Sequence, residues 1–422
     1  MSLASKVKPE KADYGLSLHQ LYNQQVLANP YPLYHRLRTE DPIHWDPFLH
    51  AWVVTRYCDV TRVLQNFSAK CAASPEQLIA MGVASMYPIG GVLHRQMLFM
   101  DPPDHTCLRA LCTVAFTPHR VAALRSHIQE IVDSLLRPGL ERGYMDVIAE
   151  FADPLSAIVT AEMLGLPPSD HRQLKSWSAK FAEILGNFQH NPNRLPEMLR
   201  NLDEMCTYFR DAIREERRNP KGGLIHTLLS AELAGHPLCE DAVIANCILL
   251  MVGGQETTPN LIGNGVLSLL RNPDQLQLLR GNPQLLHSAI EELLRYEAPS
   301  QHTTRLAPSD VTIGHKQIAS GHSVIAVIGS ANRDPERFSD PDRLDITRKD
   351  NKHLAFGSGG HFCFGAPLAR MEGEIAFTTL LRLAPDFAVA SEPLMWRENT
   401  GLRGLSALPL TFGRPSENRG QS

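Results

Sequence analysis

Apolar residues recur at three- and four-residue spacing over residues 120–140, 149–164, 199–217, 240–271 and 283–296, the period of helices that bury one face. Two-residue alternation is confined to short pieces at 43–54, 311–313 and 323–327, the last two separated by a turn region at 314–321. The pattern predicts a mainly α protein with small β-sheets. Residues 72–96 and 186–196 mix glycine, proline, asparagine and small apolar residues without clear period, so loops over a cavity are expected there. No Gly/Ser- or Pro-rich linker, repeat or long charge run marks a boundary. One continuous domain is therefore expected over 14–412, between disordered polar tails at 1–13 and 413–422.

Composition narrows the classes. The 422 residues are 43% hydrophobic and 20% charged, which excludes collagen-like, disordered and disulfide-scaffold proteins. Length alone suggests two or three domains, but the unbroken pattern opposes that. Lys and Arg number 41 against 45 Asp and Glu, a net charge of −4, so nucleic acid is not an expected partner. Eight cysteines are scattered without a C-x-x-C pair, against zinc or a disulfide framework and for a reduced, cytoplasmic setting. The most apolar stretch, 245–254, contains Asn246 and runs into Gln255 and Glu256. It is too short and too polar to cross a bilayer, so no membrane association is expected.

Two segments carry chemistry. In FGSGGHFCFGAPLAR, residues 356–370, Cys363 sits in a glycine-rich loop just before an amphipathic helix bearing Leu368, Ile375 and Leu380. A thiolate at a helix N-terminus is electrostatically favoured. Gly357, Gly359 and Gly360 permit backbone conformations closed to other residues, and Gly365 leaves space beside the sulfur. The second segment is Glu240–Arg271, 32 residues or about 48 Å of helix. It is apolar nearly all round, yet holds Gly253, Gly254, Gln255, Glu256, Thr257, Thr258 and Pro259 at its centre. Pro259 cannot donate to the carbonyl of Gln255 and Thr257 can bond back to Gly253, so a bend or opening is expected there.

Phe356, Gly359, Cys363 and Gly365 match Phe-x-x-Gly-x-x-x-Cys-x-Gly, and the chain from about residue 30 to 412 resembles the cytochrome P-450 family. The resemblance implies a single-domain, α-rich prism around a buried haem b with Cys363 as iron ligand. No C-x-x-C-H occurs, so no thioether bonds are expected. Gly253, Gly254, Glu256 and Thr257 match the family's oxygen-binding signature. Splitting dioxygen consumes two protons, which a carboxylate and a hydroxyl can relay. The resemblance gives that work to Glu256, carrying protons inward, and Thr257, holding dioxygen and water. Glu292 and Arg295 match its structural Glu-x-x-Arg pair, with Arg348 as candidate third member. His105, Arg109, Arg305 and His361 fall where its haem-propionate partners stand. Cys239 before the long helix and Pro259 within it depart from the family pattern and put the local helix geometry in question.

The implied activity is insertion of one dioxygen atom into an organic substrate while two electrons reduce the other to water. The same motifs would serve oxidative coupling, and a non-catalytic haem sensor or auxiliary protein is the reading of another class, opposed by Glu256 and Thr257. The chain shows no nucleotide fingerprint or iron–sulfur cysteines, so electrons are expected from a ferredoxin or flavodoxin with its reductase, and a monomer is expected. Phe181, Val252, Gln255, Thr304 and Leu402 are the candidate substrate-pocket residues. They suit a medium-sized, mainly apolar substrate held by one or two hydrogen bonds.

Overall fold

The structure is a computed structural model that describes residues 15–187, 192–233 and 238–413. The two expected tails lie outside the described residues, Gly413 apart. The helices that build the site are α1 (Asp104–Thr113), α2 (Arg125–Arg142), α3 (Asp153–Leu164), α4 (His171–Gly186), α5 (Leu195–Arg218), α6 (Glu240–Arg271), α7 (Leu286–Tyr296) and α8 (Ala366–Leu383). The periodic segments locate most of them, with local breaks. The 120–140 pattern divides at Leu124 into Pro118–Ala123 and α2. The 149–164 pattern begins as a π-helical turn, Val147–Ala152, before α3. Residues 283–285 form a 3-10 turn ahead of α7.

The loop expected at 72–96 is mostly helical, with Pro75–Ala80 and Tyr87–His94 joined by a 3-10 turn. Its start is a capping box: Ser74 Oγ accepts from Gln77 N at 3.2 Å while Ser74 N donates to Gln77 Oε1 at 2.8 Å. Pro75 supplies the preset first turn. In the segment expected as a loop at 186–196, Pro192–Arg194 is a 3-10 turn, α5 starts at Leu195 and residues 188–191 lie outside the described ones.

The strands form small sheets. The alternation at 43–54 is a hairpin of β1 (Ile43–Asp46) and β2 (Ala51–Val54); β4 (Ser323–Ala326) pairs parallel to β2, and β3 (Thr303–Leu306) antiparallel to β4. The turn region at 314–321 contains a strand, Lys316–Ile318, folded back on Val311–Ile313. Phe387–Val389 and Tyr144–Asp146 flank Pro409–Phe412.

Helix α6 threads two apolar cores. Its first half packs Val243, Ile244, Cys247, Ile248 and Met251 with α4 and α5 residues such as Phe181 and Phe209. Its second half packs Leu261, Ile262, Val266 and Leu269 with α2, α7 and α8. The polar run 253–258 falls where one core ends and the other begins. The helix stays helical through Pro259, contrary to the expected opening. Thr257 Oγ1 donates to Gly253 O at 2.8 Å, and the Gln255 carbonyl that Pro259 leaves without a donor accepts from Lys175 Nζ of α4 at 2.7 Å. Gly254 is required by close approach: a Cβ there would lie 2.5 Å from Thr160 Oγ1 of α3.

Glu292 and Arg295 on α7 are fully buried and bidentate, both bonds 2.8 Å. Arg295 also donates to the carbonyls of Asn332, Pro341 and Arg343, while Glu292 accepts from Arg348, Asn351 Nδ2 and Asp345 N. The pair pins α7 to the irregular segment 332–351, which leads into the cysteine loop. Substituting Arg295→Leu should destabilise the fold by about 3–5 kcal/mol, because a buried carboxylate loses its main counterion. Urea unfolding of the variant checks this, and a loss under 1 kcal/mol would contradict it.

Candidate active site

One cavity of about 380 Å3 lies at the junction of the two cores. Its walls bring together the cysteine loop (Phe356, His361, Cys363, Gly365), the middle of α6 (Val252, Gly253, Thr257), His105 and Arg109 of α1, Arg305 of β3, and Leu402. Within α6 the lining positions 249, 253, 257 and 261, with 250, 254 and 258, follow i, i+4 spacing and form one face. Gln255 points elsewhere. Its side chain is fully buried and both amide atoms lack a protein partner, so its expected place on the cavity wall is corrected. Phe181 also lies off both cavity walls, in the core between α4 and α6. Thr304 lines a second cavity of similar volume, which shares Leu98, Leu185, Gly186, His302, Thr303 and Arg305 with the first.

The loop before α8 is shaped by Gly357 and Gly359, both left-handed at φ +73° and +74°. Gly360, expected to share that conformation, does not. Gly359 faces away from the cavity, where a Cβ would lie 2.9 Å from Gln65 Cα. Cys363 N donates to Phe356 O at 2.8 Å, closing the loop. Burial pushes the Cys363 thiol up, opposed by the backbone N–H groups of Gly365 and Ala366 at the start of α8 and by Arg109 and Arg370. Arg370 lies over the Phe356 ring, 4.6 Å from its centroid, and is gripped by Glu291 through bonds of 2.6 and 2.8 Å. Burial alone would raise the Glu291 carboxyl, but Arg370 and His353 hold it down at about 2.

The rings of His105 and His361 stack at 4.0 Å. Burial lowers both imidazoles, His361 to about 4, and Arg109 adds to this by repulsion. His105 Nε2 and Arg305 Nε are buried without a protein partner. Two guanidinium groups and two imidazoles, all able to donate N–H hydrogen bonds, thus face one cavity, an arrangement that a ligand with two carboxylates would satisfy. With a cysteine sulfur backed by a helix N-terminus on the same wall, the donor set fits haem.

Glu256 and Thr257 part company. Thr257 lines the cavity, whereas Glu256 is 4% exposed on the other side of α6. Its Oε1 accepts from Lys175 Nζ at 2.7 Å and Ser178 Oγ at 2.9 Å, and its Oε2 from Arg397 Nη1 at 3.2 Å. Arg397 and Lys175 also hold Asp153, at 3.0 and 3.2 Å. Lys175, Ser178, Arg397 and Asp153 carry no sequence signal of this role. Each resembles an ordinary polar residue of a half-exposed helix or loop, and Arg397 is 141 positions from Glu256. The far end of α4 is held separately: Thr400 Oγ1 donates to Gly186 O at 2.8 Å and Asn399 Nδ2 to Ala182 O at 3.0 Å.

Fold and site together define a haem-thiolate protein. The chain belongs to the cytochrome P450 family, which residues 81–390 match. It is 38% identical over 393 residues to the biotin biosynthesis cytochrome P450 of Bacillus subtilis, covering 92% of this chain and 98% of that one. It is 36% identical over 408 residues to the vitamin D(3) 25-hydroxylase of Pseudonocardia autotrophica, covering 94% and 98%. Among solved structures it superposes on P450BioI in complex with acyl carrier protein ligated to hexadec-9Z-enoic acid, with a TM-score of 0.86, 38% identity, and coverage of 92% of this chain and 100% of that one. The chain is thus a monooxygenase whose haem b is held through a cysteine thiolate, and its fold is the single-domain P450 fold. No helix among the described residues is long and apolar enough to cross a membrane. Replacing Cys363→Ser should abolish the strongly red-shifted Soret band of the reduced, carbon monoxide-treated protein; a variant that keeps that band would exclude Cys363 as the ligand.

Proposed function

We propose that this enzyme hydroxylates or epoxidises a medium-sized, mainly apolar organic molecule, using electrons from a ferredoxin or flavodoxin with its reductase. The observation that carries the reading is that Cys363 and Thr257 border one cavity whose remaining wall is largely aliphatic and aromatic. Haem held by the Cys363 thiolate would supply dioxygen activation, with His105, Arg109, Arg305 and His361 gripping its carboxylates. Residues on this chain then divide the remaining work. Leu249, Leu250, Val252, Leu294 and Leu402 exclude water, and a strongly charged substrate would leave its charge unpaired among them. Ser300 and Thr303 offer the neutral hydrogen bonds that orient a ligand. The fatty acyl group named for the P450BioI complex is of the same apolar kind.

Thr257 Oγ1 donates its hydrogen bond to Gly253 O, leaving its oxygen lone pairs to accept hydrogen bonds and so order water within the cavity. Glu256 sits behind it, joined through Lys175 and Arg397 to the protein surface, since their side chains are 14% and 21% exposed. The two cations hold the carboxylate close to solvent, and the carboxylate itself, not its cationic partners, is the group that can take a proton from water and pass it toward α6. An electron donor is expected near Phe362, which is 42% exposed beside Cys363 and whose carbonyl accepts from Arg109. Arg109 and the exposed Lys352 would attract an acidic partner.

Thr257→Ala should bind haem and substrate nearly as well as the parent, while product per NADH consumed falls roughly tenfold and hydrogen peroxide accumulates. Full coupling would remove Thr257 from proton handling. Titration with terpenoid, steroid, macrolide and fatty-acid compounds should move the oxidised Soret band from low spin toward high spin. If only small, highly charged molecules did so, the substrate class would be wrong.

A further inference from the structure

Leu402 reaches the cavity from a short backbone pairing. Gln301 N donates to Gly401 O and Arg403 N to Pro299 O, both at 2.8 Å, with Ser300 opposite Leu402. Pro299, Ser300, Gly401 and Leu402 all line the cavity that holds Cys363 and Thr257. Two extended segments joined over so few residues do not hold themselves in place. Where this wall stands therefore depends on what grips its ends.

The side chain of Arg403 is such a grip. It is buried, and its Nε donates to Glu297 at the end of α7, its Nη1 to Leu27 O at 2.6 Å and its Nη2 to Ala28 O at 2.9 Å. Leu27 and Ala28 close the short helix Gln24–Ala28, so the guanidinium serves two carbonyls that a helix end leaves without donors. Its Cζ lies 3.6 Å from the centre of the Trp396 ring, and the Arg403 carbonyl accepts from Asn264 Nδ2 of α6 at 2.9 Å. Tyr31 donates to the same Glu297 oxygen at 2.6 Å. Burial alone would raise the Glu297 carboxyl, but Arg403 and Arg333 hold it below its ordinary value, so the counterion stays charged. A buried ion pair of this kind adds little stability over apolar residues of equal volume. A planar guanidinium fork instead fixes direction, because its acceptors must all lie near one plane with a ring stacked on it.

We propose that Arg403 is a positioning residue for the bound molecule: it fixes how far Leu402 and Ser300 reach into the cavity, and so how bulky a group fits over haem held by Cys363. Arg403 does not line the cavity itself and acts through its neighbours in the chain and across the pairing. The helix Gln24–Ala28, which lines neither cavity, thereby becomes part of what sets specificity. This rests on the substrate-pocket reading above and assigns the residue that shapes that pocket from behind.

Imidazole and 4-phenylimidazole are the probes: both bind haem iron through a ring nitrogen, and they differ by a phenyl group that must fit against the wall. Titrating the oxidised Soret band of the holoenzyme reads both affinities. Arg403→Lys keeps a cation beside Glu297, but an ammonium cannot serve two carbonyls and a stacked ring together. This variant should keep the thiolate Soret band and the imidazole affinity, while the affinity ratio of 4-phenylimidazole to imidazole changes roughly fivefold. Leu402→Ala should also change the ratio, and the double variant should differ from the product of the two single changes, since the residues act as one unit. An Arg403→Lys protein with the parent's ratio overturns the proposal, whatever its urea midpoint, and so does a double variant in which the two changes simply multiply. If Arg403→Lys binds no haem, Glu297→Gln, which removes the counterion and keeps the arginine, must shift the ratio; an unchanged ratio there is equally a refutation. A parent whose Soret band moves with no apolar compound fails the substrate reading, whereas the azole ratios decide the role of Arg403 alone.

Discussion

Pro259 leaves the carbonyl of Gln255 without its helical donor, and Lys175 supplies one from α4 at 2.7 Å. Much of the centre of the molecule follows from that bond. A lysine ammonium brought against a buried helix needs anions, and Glu256 and Asp153 provide them; two anions then call for a second cation, which Arg397 contributes from a distant loop. The cluster closes at zero net charge, the condition under which ionic groups are tolerated at low exposure. It also fixes α3, α4 and the 397 segment against α6, so the helix remains continuous where its sequence is least suited to being helical.

The same stretch of α6 lies between two apolar cores, and this gives the cavity its place. Leu, Ile and Val positions on either side bury the helix all round, whereas Gly253 has no side chain to fill the gap. The cost of the glycines in helix propensity, about 1 kcal/mol each, is offset by packing along the remaining turns. The cavity walls carry buried donors at His105 and Arg305 that the protein itself does not satisfy, which marks the cavity as a place built for a ligand.

Much of this was legible in the sequence because it is local. The cysteine loop, the span of α6 and the Thr257 bond to Gly253 each depend on residues within a few positions of one another. Glu292 and Arg295 are likewise a one-turn pair, and Arg348 joins them at 3.1 Å. What was hidden depends on which faces meet. Helical period does not tell which side of α6 faces the cavity, so Gln255 was assigned to the wrong wall and Glu256 was paired with Thr257 although their side chains diverge. Residues 72–96 lack apolar period because the two helices there, Pro75–Ala80 and Tyr87–His94, are too short to display one. The capping box at Ser74 and Gln77 was the available signal. Strand β3, Thr-Thr-Arg-Leu, lacks the alternation of apolar and polar residues and is recruited by β4, a partner that follows it in the chain.

Helix α4 is fastened at both ends by unlike means. Lys175 and Ser178 tie its first half into the charged cluster, while Ala182 and Gly186 are sewn to Asn399 and Thr400 by backbone carbonyls. A Cβ at Gly186 would fall 1.9 Å from Asn399 Oδ1, so that seam has no slack. Mechanically, α4 is a beam clamped at each end, and it cannot slide along its axis without releasing one clamp. Room for a bulky guest must therefore come from other segments, such as the short helices between residues 75 and 94 that line the second cavity through Leu78, Ile89 and Leu93, so exchange of those helices between homologues should alter which guests are admitted more readily than changes along α4.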